Sequence, residues 1–320
     1  SNGALLVSKD RTAKVATDGR YATQISEEVP DVPATITRKV ATELLAGVVD
    51  GHRVGFEADY VSVSELEALR NACPEGVTLV PVSGAVEEIR LLKDQLELTR
   101  LEEAADLATQ ALEQLIDAGE LAPGRSERDV AADLEYRMRK LGAERPSFDT
   151  IVASGPNSAK PHHGAGERTL ETGDLVTIDY GMFRLGFNSD MTRTFALGEP
   201  NDFLREIYEV TLQSQLAGVR AAVPGAKLVD VDAACRDVIE AAGYGEYFVH
   251  STGHGVGLDV HEAPYAAKTG KGTLQEGMTL TIEPGIYVPG RGGVRIEDTL
   301  FITSGTPKVI TKFPKDLTVL

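Results

Sequence analysis

The chain has 320 residues, 42% of them hydrophobic, which is enough to bury a sizeable core and to build two domains. Its formal net charge of −17 opposes phosphate backbones and anionic lipid, so nucleic acid and membrane surfaces are excluded as natural partners. Two cysteines, Cys73 and Cys235, make no C-x-x-C and no disulfide framework; without a signal-peptide pattern or an apolar run of spanning length, a reducing cytoplasm is the expected compartment.

The opening Ser1-Asn-Gly-Ala-Leu-Leu-Val runs directly into strand-like sequence, so residues upstream of Ser1 are expected. Short strands over 4–7, 53–57 and 78–82 alternate with helices over 38–49 and 62–72. This is the pattern of a small α/β domain; it holds one histidine, His52, and no cluster of catalytic residue types. A boundary at Pro81 to Gly84 divides the chain into domains 1–86 and 87–320. A long helix follows, with Leu98, Leu101, Ala105, Ala108, Leu112 and Leu115 on one face and Gly119 as its stop. The next helix opens on the cap pattern Ser126-Glu-Arg-Asp129 and carries the stripe Val130, Leu134, Met138 and Leu141 before Gly142. Two more helices are expected over 202–222 and 228–242. Cys235 sits there among Val231, Val238 and Ile239, which reads as a core thiol rather than a nucleophile.

Between these helices lies "DYGMFRLGFNSD", from Asp179 to Asp190. Apolar runs before and after it read as strands, with a turn at 184–186, and the midpoint of the two aspartates falls in that turn. A simple hairpin therefore sets Asp179 opposite Asp190, with Cβ atoms about 4.5–5.5 Å apart. The plain alternative is an irregular loop with two solvated acids. A second hairpin decides between them. "GDLVTIDYG" is matched by "GMTLTIEPG", and there Glu283 faces Glu297 across a turn at 289–293. Chance similarity would not be expected to match the acids as well as the apolar pattern. Four gathered carboxylates repel unless cations lie among them, and divalent ions held by oxygen are the simplest relief. A histidine ligand would shift the preference to transition metals. The segment "HSTGHGVGLDVHEAP" offers His250, His254 and His261. Its glycines are not a G-x-G-x-x-G nucleotide loop; they are expected to let the backbone approach a metal centre.

The series "SGPNSAKPHHG", "DLVTIDYG", "GFNSDMTRTF", "TGHGVGLDVHEAP", "TLTIEPGIY" and "GGVRIEDT" resembles the pita-bread metallopeptidases, most nearly the Xaa-Pro peptidases prolidase and aminopeptidase P. The match runs from residue 87 to the C-terminus, and the first domain resembles the N-terminal domain of those enzymes without its opening strands. The resemblance implies an α+β fold, with a C-terminal pita-bread catalytic domain behind a small α/β N-terminal domain. It implies two divalent metal ions held by Asp179, Asp190, His254, Glu283 and Glu297, with Asp190 and Glu297 shared between them. Mn²⁺ is expected ahead of Co²⁺ or Zn²⁺, because oxygen ligands dominate and no cysteine takes part.

The implied activity is metal-assisted hydrolysis of the Xaa-Pro peptide bond by a homodimer. Glu283 would carry the proton, His261 would steady the oxyanion, and His162 would meet the substrate or the leaving group. The family's Pro-His pattern selects His162, after Pro161, over the adjacent His163. Arg295, on the strand face of Glu297, would orient a carboxylate or contact substrate. A methionine aminopeptidase would normally lack the first domain, and a creatinase-type relative would lack the full ligand set. A dipeptidase stands slightly ahead of an aminopeptidase. Some prolidases read the substrate carboxylate with an arginine before the fourth ligand, where this chain offers only Lys268 and Lys271.

Overall fold

In the computed structural model, which describes residues 2–49 and 51–320, the chain separates into two units, one ending at Val86 and one running from Glu87 to Leu320. Ser1, with which the strand-like opening begins, lies outside the described residues. In the first unit Gly3–Val7 and Ala13–Thr17 pair antiparallel, and Ala34–Ile36 joins in parallel. Arg53–Glu57 and Thr78–Val82 form a separate parallel pair. The helix Val63–Ala72 starts where expected, because Ser62 and Glu65 close a reciprocal capping box. The helix expected over 38–49 is shorter, Val40–Ala46.

The second unit has two apolar layers. In one, the later part of Gln95–Asp117, with Ala108, Leu112 and Leu115 of the expected stripe, packs against Glu127–Lys140 and against the strands Ile151–Ser154, Leu175–Tyr180 and Met191–Ala196, while Leu98 and Leu101 pack separately with Phe187, Val256 and Ile310. Asp94 caps the long helix, and Gly119 follows it at φ 71°, the left-handed turn that ends many helices. In the other layer, Asp202–Ala221 and Leu228–Ala241 cover the strands Thr279–Ile282 and Asp298–Phe301. Cys235 lies fully inside this core, and burial pushes its thiol up to about 12. The hairpin strands are buried on both faces, and their apolar and threonine-rich sequences made them stand out.

The two hairpins differ in register. In the second, the ladders Thr279–Ile282 with Asp298–Phe301 and Gly285–Val288 with Gly292–Arg295 share one register, which sets Glu283 across from Glu297 as expected. In the first, Asp179 pairs with Thr192 and not with Asp190. The cause is the turn. Arg184 pairs with Phe187, leaving only Leu185 and Gly186 at the tip, both with positive φ (50° and 87°), as a tight hairpin turn requires. This displaces Asp190 to a diagonal position on the same face as Asp179, about 7–8 Å away along the sheet instead of directly opposite.

The glycines around His254 also have a different purpose from the one expected. A Cβ on Gly253 would lie 1.7 Å from the Thr281 carbonyl oxygen, and one on Gly255 would lie 2.2 Å from that of Ala263. They allow the strand Gly253–Gly255 to press against the neighbouring strands, and that contact, not a metal, fixes their identity. Gly253→Ala is expected to cost about 3 kcal/mol or more by overpacking, a fall in Tm of about 6–12 °C. Differential scanning fluorimetry checks this; an unchanged Tm would contradict the packing argument.

Candidate metal centre

The two hairpins and the Gly253–Gly255 strand deliver their polar side chains to one place. Ligand atoms of Asp190, His254 and Glu297, all buried, lie within 4.8 Å of one another and could hold a cation. Glu283 joins them through its Oε1, 3.2 Å from His254 Nε2. Asp179 completes the set from the opposite strand, where its Oδ2 accepts a 2.7 Å bond from Arg295 Nη2. His254 Nδ1 donates to the Gly255 carbonyl at 3.0 Å, which turns Nε2 toward the carboxylates. Thr192 Oγ1 donates to Glu297 Oε2 at 2.7 Å, and Thr281 Oγ1 to Glu283 Oε1 at 3.1 Å. Asp179, Glu283 and Glu297 thus each have one oxygen steered by a hydrogen bond, whereas the Asp190 carboxylate has, among the described residues, only the 3.7 Å contact of its Oδ2 with His254 Nε2.

The remaining oxygens test whether a metal fits. Asp179 Oδ1 and Glu297 Oε1 are buried and have no hydrogen-bond partner. A buried carboxylate oxygen without a donor is costly, and a cation is the partner it lacks. The electrostatics agree. Burial, then the charges of Glu297, Asp179 and Glu283, raise the Asp190 pKa well above the usual range. Burial, then Glu283 and Asp179, do the same to Glu297. Burial also raises Asp179, although Arg295 opposes it. Glu283 moves the other way: burial disfavours its charge, but the His254 hydrogen bond and charge outweigh this and lower it to about 2. Without cations the site must therefore hold protons to relieve its own repulsion.

These groups floor a cavity of about 490 Å³ whose walls include Phe148, His162, His250, His261, Tyr265 and Arg295. The His261 ring meets the His254 ring edge-on at 4.4 Å between centroids. His162 and His163 both line the wall; His162 is exposed, whereas His163 is held through a 2.7 Å contact between its Nε2 and the buried Glu127. Arg295 is 3% exposed and fully engaged. Besides Asp179, it donates to Tyr287 Oη at 2.8 Å, to Thr192 Oγ1 at 3.2 Å and to the Pro161 carbonyl at 3.2 Å.

Two further residues of the site hold places to which the sequence assigns no role. His250 Nδ1 donates to the Ser251 carbonyl, so its Nε2 accepts from Tyr287 Oη at 2.8 Å, which in turn accepts from Arg295. The chain of bonds Asp179–Arg295–Tyr287–His250 runs beneath the cavity. His250 was visible as a candidate, four residues before His254; Tyr287 was hidden in an apolar strand. Lys268 and Lys271, offered as readers of a substrate carboxylate, are exposed and do not line the cavity. They sit in the loop after the strand Glu262–Ala266, which carries them away from the wall.

Comparison with known proteins agrees with this geometry. The family model described as Metallopeptidase family M24 matches residues 99–304, and that of the Creatinase/Prolidase N-terminal domain matches residues 1–92. The Xaa-Pro dipeptidase of Pyrococcus furiosus is 46% identical over 236 residues, 74% of this chain and 67% of that protein. The solved Xaa-Pro dipeptidase of Bacillus anthracis superposes with a TM-score of 0.94 at 44% identity, covering 100% of this chain and 90% of the other. The X-Pro aminopeptidase of Thermotoga maritima superposes with a TM-score of 0.91 at 32% identity, covering 99% and 88%.

Proposed function

The chain belongs to metallopeptidase family M24, and from that membership we propose that it is a metal-dependent hydrolase of the Xaa-Pro bond in dipeptides. The observation that carries the reading is the acid cage with its two donorless buried oxygens, set at the floor of a substrate-sized cavity. The name and 46% identity of the Pyrococcus relative favour a dipeptidase. We assign residues 1–86 to a creatinase-type N-terminal domain and 87–320 to the catalytic domain. Asp190 and Glu297 would be shared by two divalent ions, Asp179 would complete one, and His254 and Glu283 the other. Manganese is our preferred metal, because four of the five ligands offer oxygen. Bound divalent ions supply Lewis acidity and an activated water.

The chain's own residues do the rest. Glu283, held acidic by His254, is the group placed to take up and return the proton. His261, edge-on to His254, donates toward the developing oxyanion. Arg295 keeps Asp179 aimed through a paired charge and works against the rise that burial imposes on its pKa. His162, exposed on the wall, meets the substrate; with both lysines outside the cavity and Arg295 engaged, it is our candidate to donate to a proline carboxylate. The free cysteines support a reducing cytoplasm. The family resemblance supports a homodimer, which light scattering would test.

An aminopeptidase is the second reading, favoured by the Thermotoga neighbour, whose fold superposes almost as well. Substrates separate the two. Ala-Pro is expected to be cut faster than Ala-Pro-Ala. Ala-Pro-amide should lose about 1.5–3 kcal/mol of kcat/KM, the range for a hydrogen bond to a charged group. Ala-Ala should be cut poorly, because the ring would no longer fill its part of the cavity. A tripeptide preferred over the dipeptide would overturn the dipeptidase and leave the aminopeptidase.

A further inference from the structure

Glu127 is 0% exposed, at the first turn of the helix Glu127–Lys140, and it belongs to no part of the acid cage. Its Oε1 accepts from Ser154 N at 2.8 Å, Ser154 Oγ at 2.7 Å and Asn157 Nδ2 at 3.0 Å. Its Oε2 contacts His163 Nε2 at 2.7 Å and accepts from Gly166 N at 3.3 Å. One carboxylate thus grips the 154–166 segment at both ends. That segment contains only a five-residue 3-10 turn, Gly155–Ala159, so its backbone has little regular bonding of its own. The strand Gly292–Arg295 anchors its middle: Gly293 N donates to Ser158 Oγ at 2.8 Å, and Arg295 donates to the Pro161 carbonyl; at its ends Arg168 donates to Ser154 Oγ and Arg128 N to the Gly166 carbonyl.

His162 sits between the two clamps. On one side Pro161 is tied to Arg295; on the other His163 is tied to Glu127. A histidine on an irregular loop cannot hold a fixed direction without such support. We propose that Glu127, acting through His163 and the 154–166 backbone, is a positioning residue that sets His162 against the substrate in the cavity. Burial alone would favour a neutral acid. The donors from Ser154, Asn157 and His163 outweigh burial and hold Glu127 below the usual range, so the clamp is charged. The helix N-terminus on which it stands favours the same state.

The inference rests on His162 acting on substrate, and the experiment separates the two. Glu127→Gln, His162→Ala and the double variant are compared by kcat and KM on Ala-Pro, with bound metal counted per chain. Glu127→Gln is expected to lower kcat about 10–100-fold, as loss of an orienting partner does, and to leave the metal count unchanged. In the His162→Ala background the same change is expected to alter kcat less than about 2-fold, because two residues acting as one unit are not additive. An equal loss in both backgrounds, no loss at all, or a loss that follows the metal count would overturn the proposal. A normal kcat for His162→Ala would overturn the role of His162 and this inference with it. If Glu127→Gln folds poorly, His163→Leu carries the same comparison, since it removes one grip and leaves Ser154, Asn157 and Gly166 on the carboxylate. His163→Gln, whose amide can still donate to Glu127, is expected to restore most of the rate; failure to restore it counts against the clamp.

Discussion

Glu297→Gln is expected to abolish nearly all activity and to remove at least one metal ion per chain. The reason is position. Glu297 is 1% exposed, its Oε2 is committed to Thr192, and its Oε1 has no donor. Gln keeps the size and one acceptor but loses the charge, and it places an N–H₂ where a cation would sit. Metal chemistry is worth several kcal/mol of transition-state stabilisation, so kcat/KM should fall by about 10³-fold or more. Asp190→Asn should behave alike, because Asp190 is the other acid proposed to be shared. His162→Ala is the contrast: turnover falls and metal content stays. Elemental analysis beside steady-state kinetics reads both quantities. Two ions and a normal rate in Glu297→Gln would refute the ligand assignment.

Removing the metals should lower the melting temperature, and adding Mn²⁺ should restore it. An ion present at 100 times its Kd stabilises the folded state by about 2.7 kcal/mol per site. For a unit of this size each kcal/mol shifts Tm by about 2–4 °C, so one site gives roughly 5–10 °C.

The pH dependence has a definite sign. In the metal-free chain Asp190 and Glu297 have pKa values raised above those of an unfolded carboxyl. Between the unfolded and folded values the native state binds more protons, so stability falls as pH rises through that window. His254, also raised despite burial because Glu283 bonds to it, adds a contribution that is present below its ordinary value and lost as pH rises through the folded one. Glu283 opposes them between its ordinary value of 4.5 and about 2, the window over which the stability of its paired charge is lost as pH falls. Chelated protein should therefore melt higher at pH 5.5 than at pH 7.5. Mn²⁺-loaded protein should show the reverse, because protons compete with the metal for the same oxygens. Scanning calorimetry at the two pH values, with and without chelator, checks this. Parallel slopes in the two states would contradict a metal-filled acid cage.

Much of the centre was legible because it is written in local pattern. A buried strand reads as an apolar run, and an acid at its end is conspicuous there. Asp179, Asp190, Glu283 and Glu297 could thus be found in pairs, and the repetition of the hairpin turned two oddities into one argument. Caps and stops such as Ser62 with Glu65, and Gly119, mark helix ends through bonds made within a few residues. Those bonds do not depend on the rest of the fold. The short strands Ala13–Thr17 and Ala34–Ile36 were missed because pieces of five and three residues carry too few alternations to register.

By itself, then, the sequence determined the α+β plan, the strand ends that carry the acids, and the chemical need for cations among them. Tertiary structure decided what depends on distant neighbours. The register of the first hairpin was set by which two residues form the tip, Leu185 and Gly186 instead of Arg184 and Leu185, a choice that composition leaves open. Gly253 owes its place to a carbonyl 28 residues away, on Thr281, which would touch any side chain there. His162 and His163 are adjacent, chemically alike and both at the cavity wall, yet the buried Glu127, on a distant helix, ties up His163 and leaves His162 exposed. Tyr287 reads as one more strand residue until Arg295 and His250 meet its hydroxyl. Hydrogen bonds across dozens of residues have no local signature, because the geometry that makes them exists only once the two layers have packed.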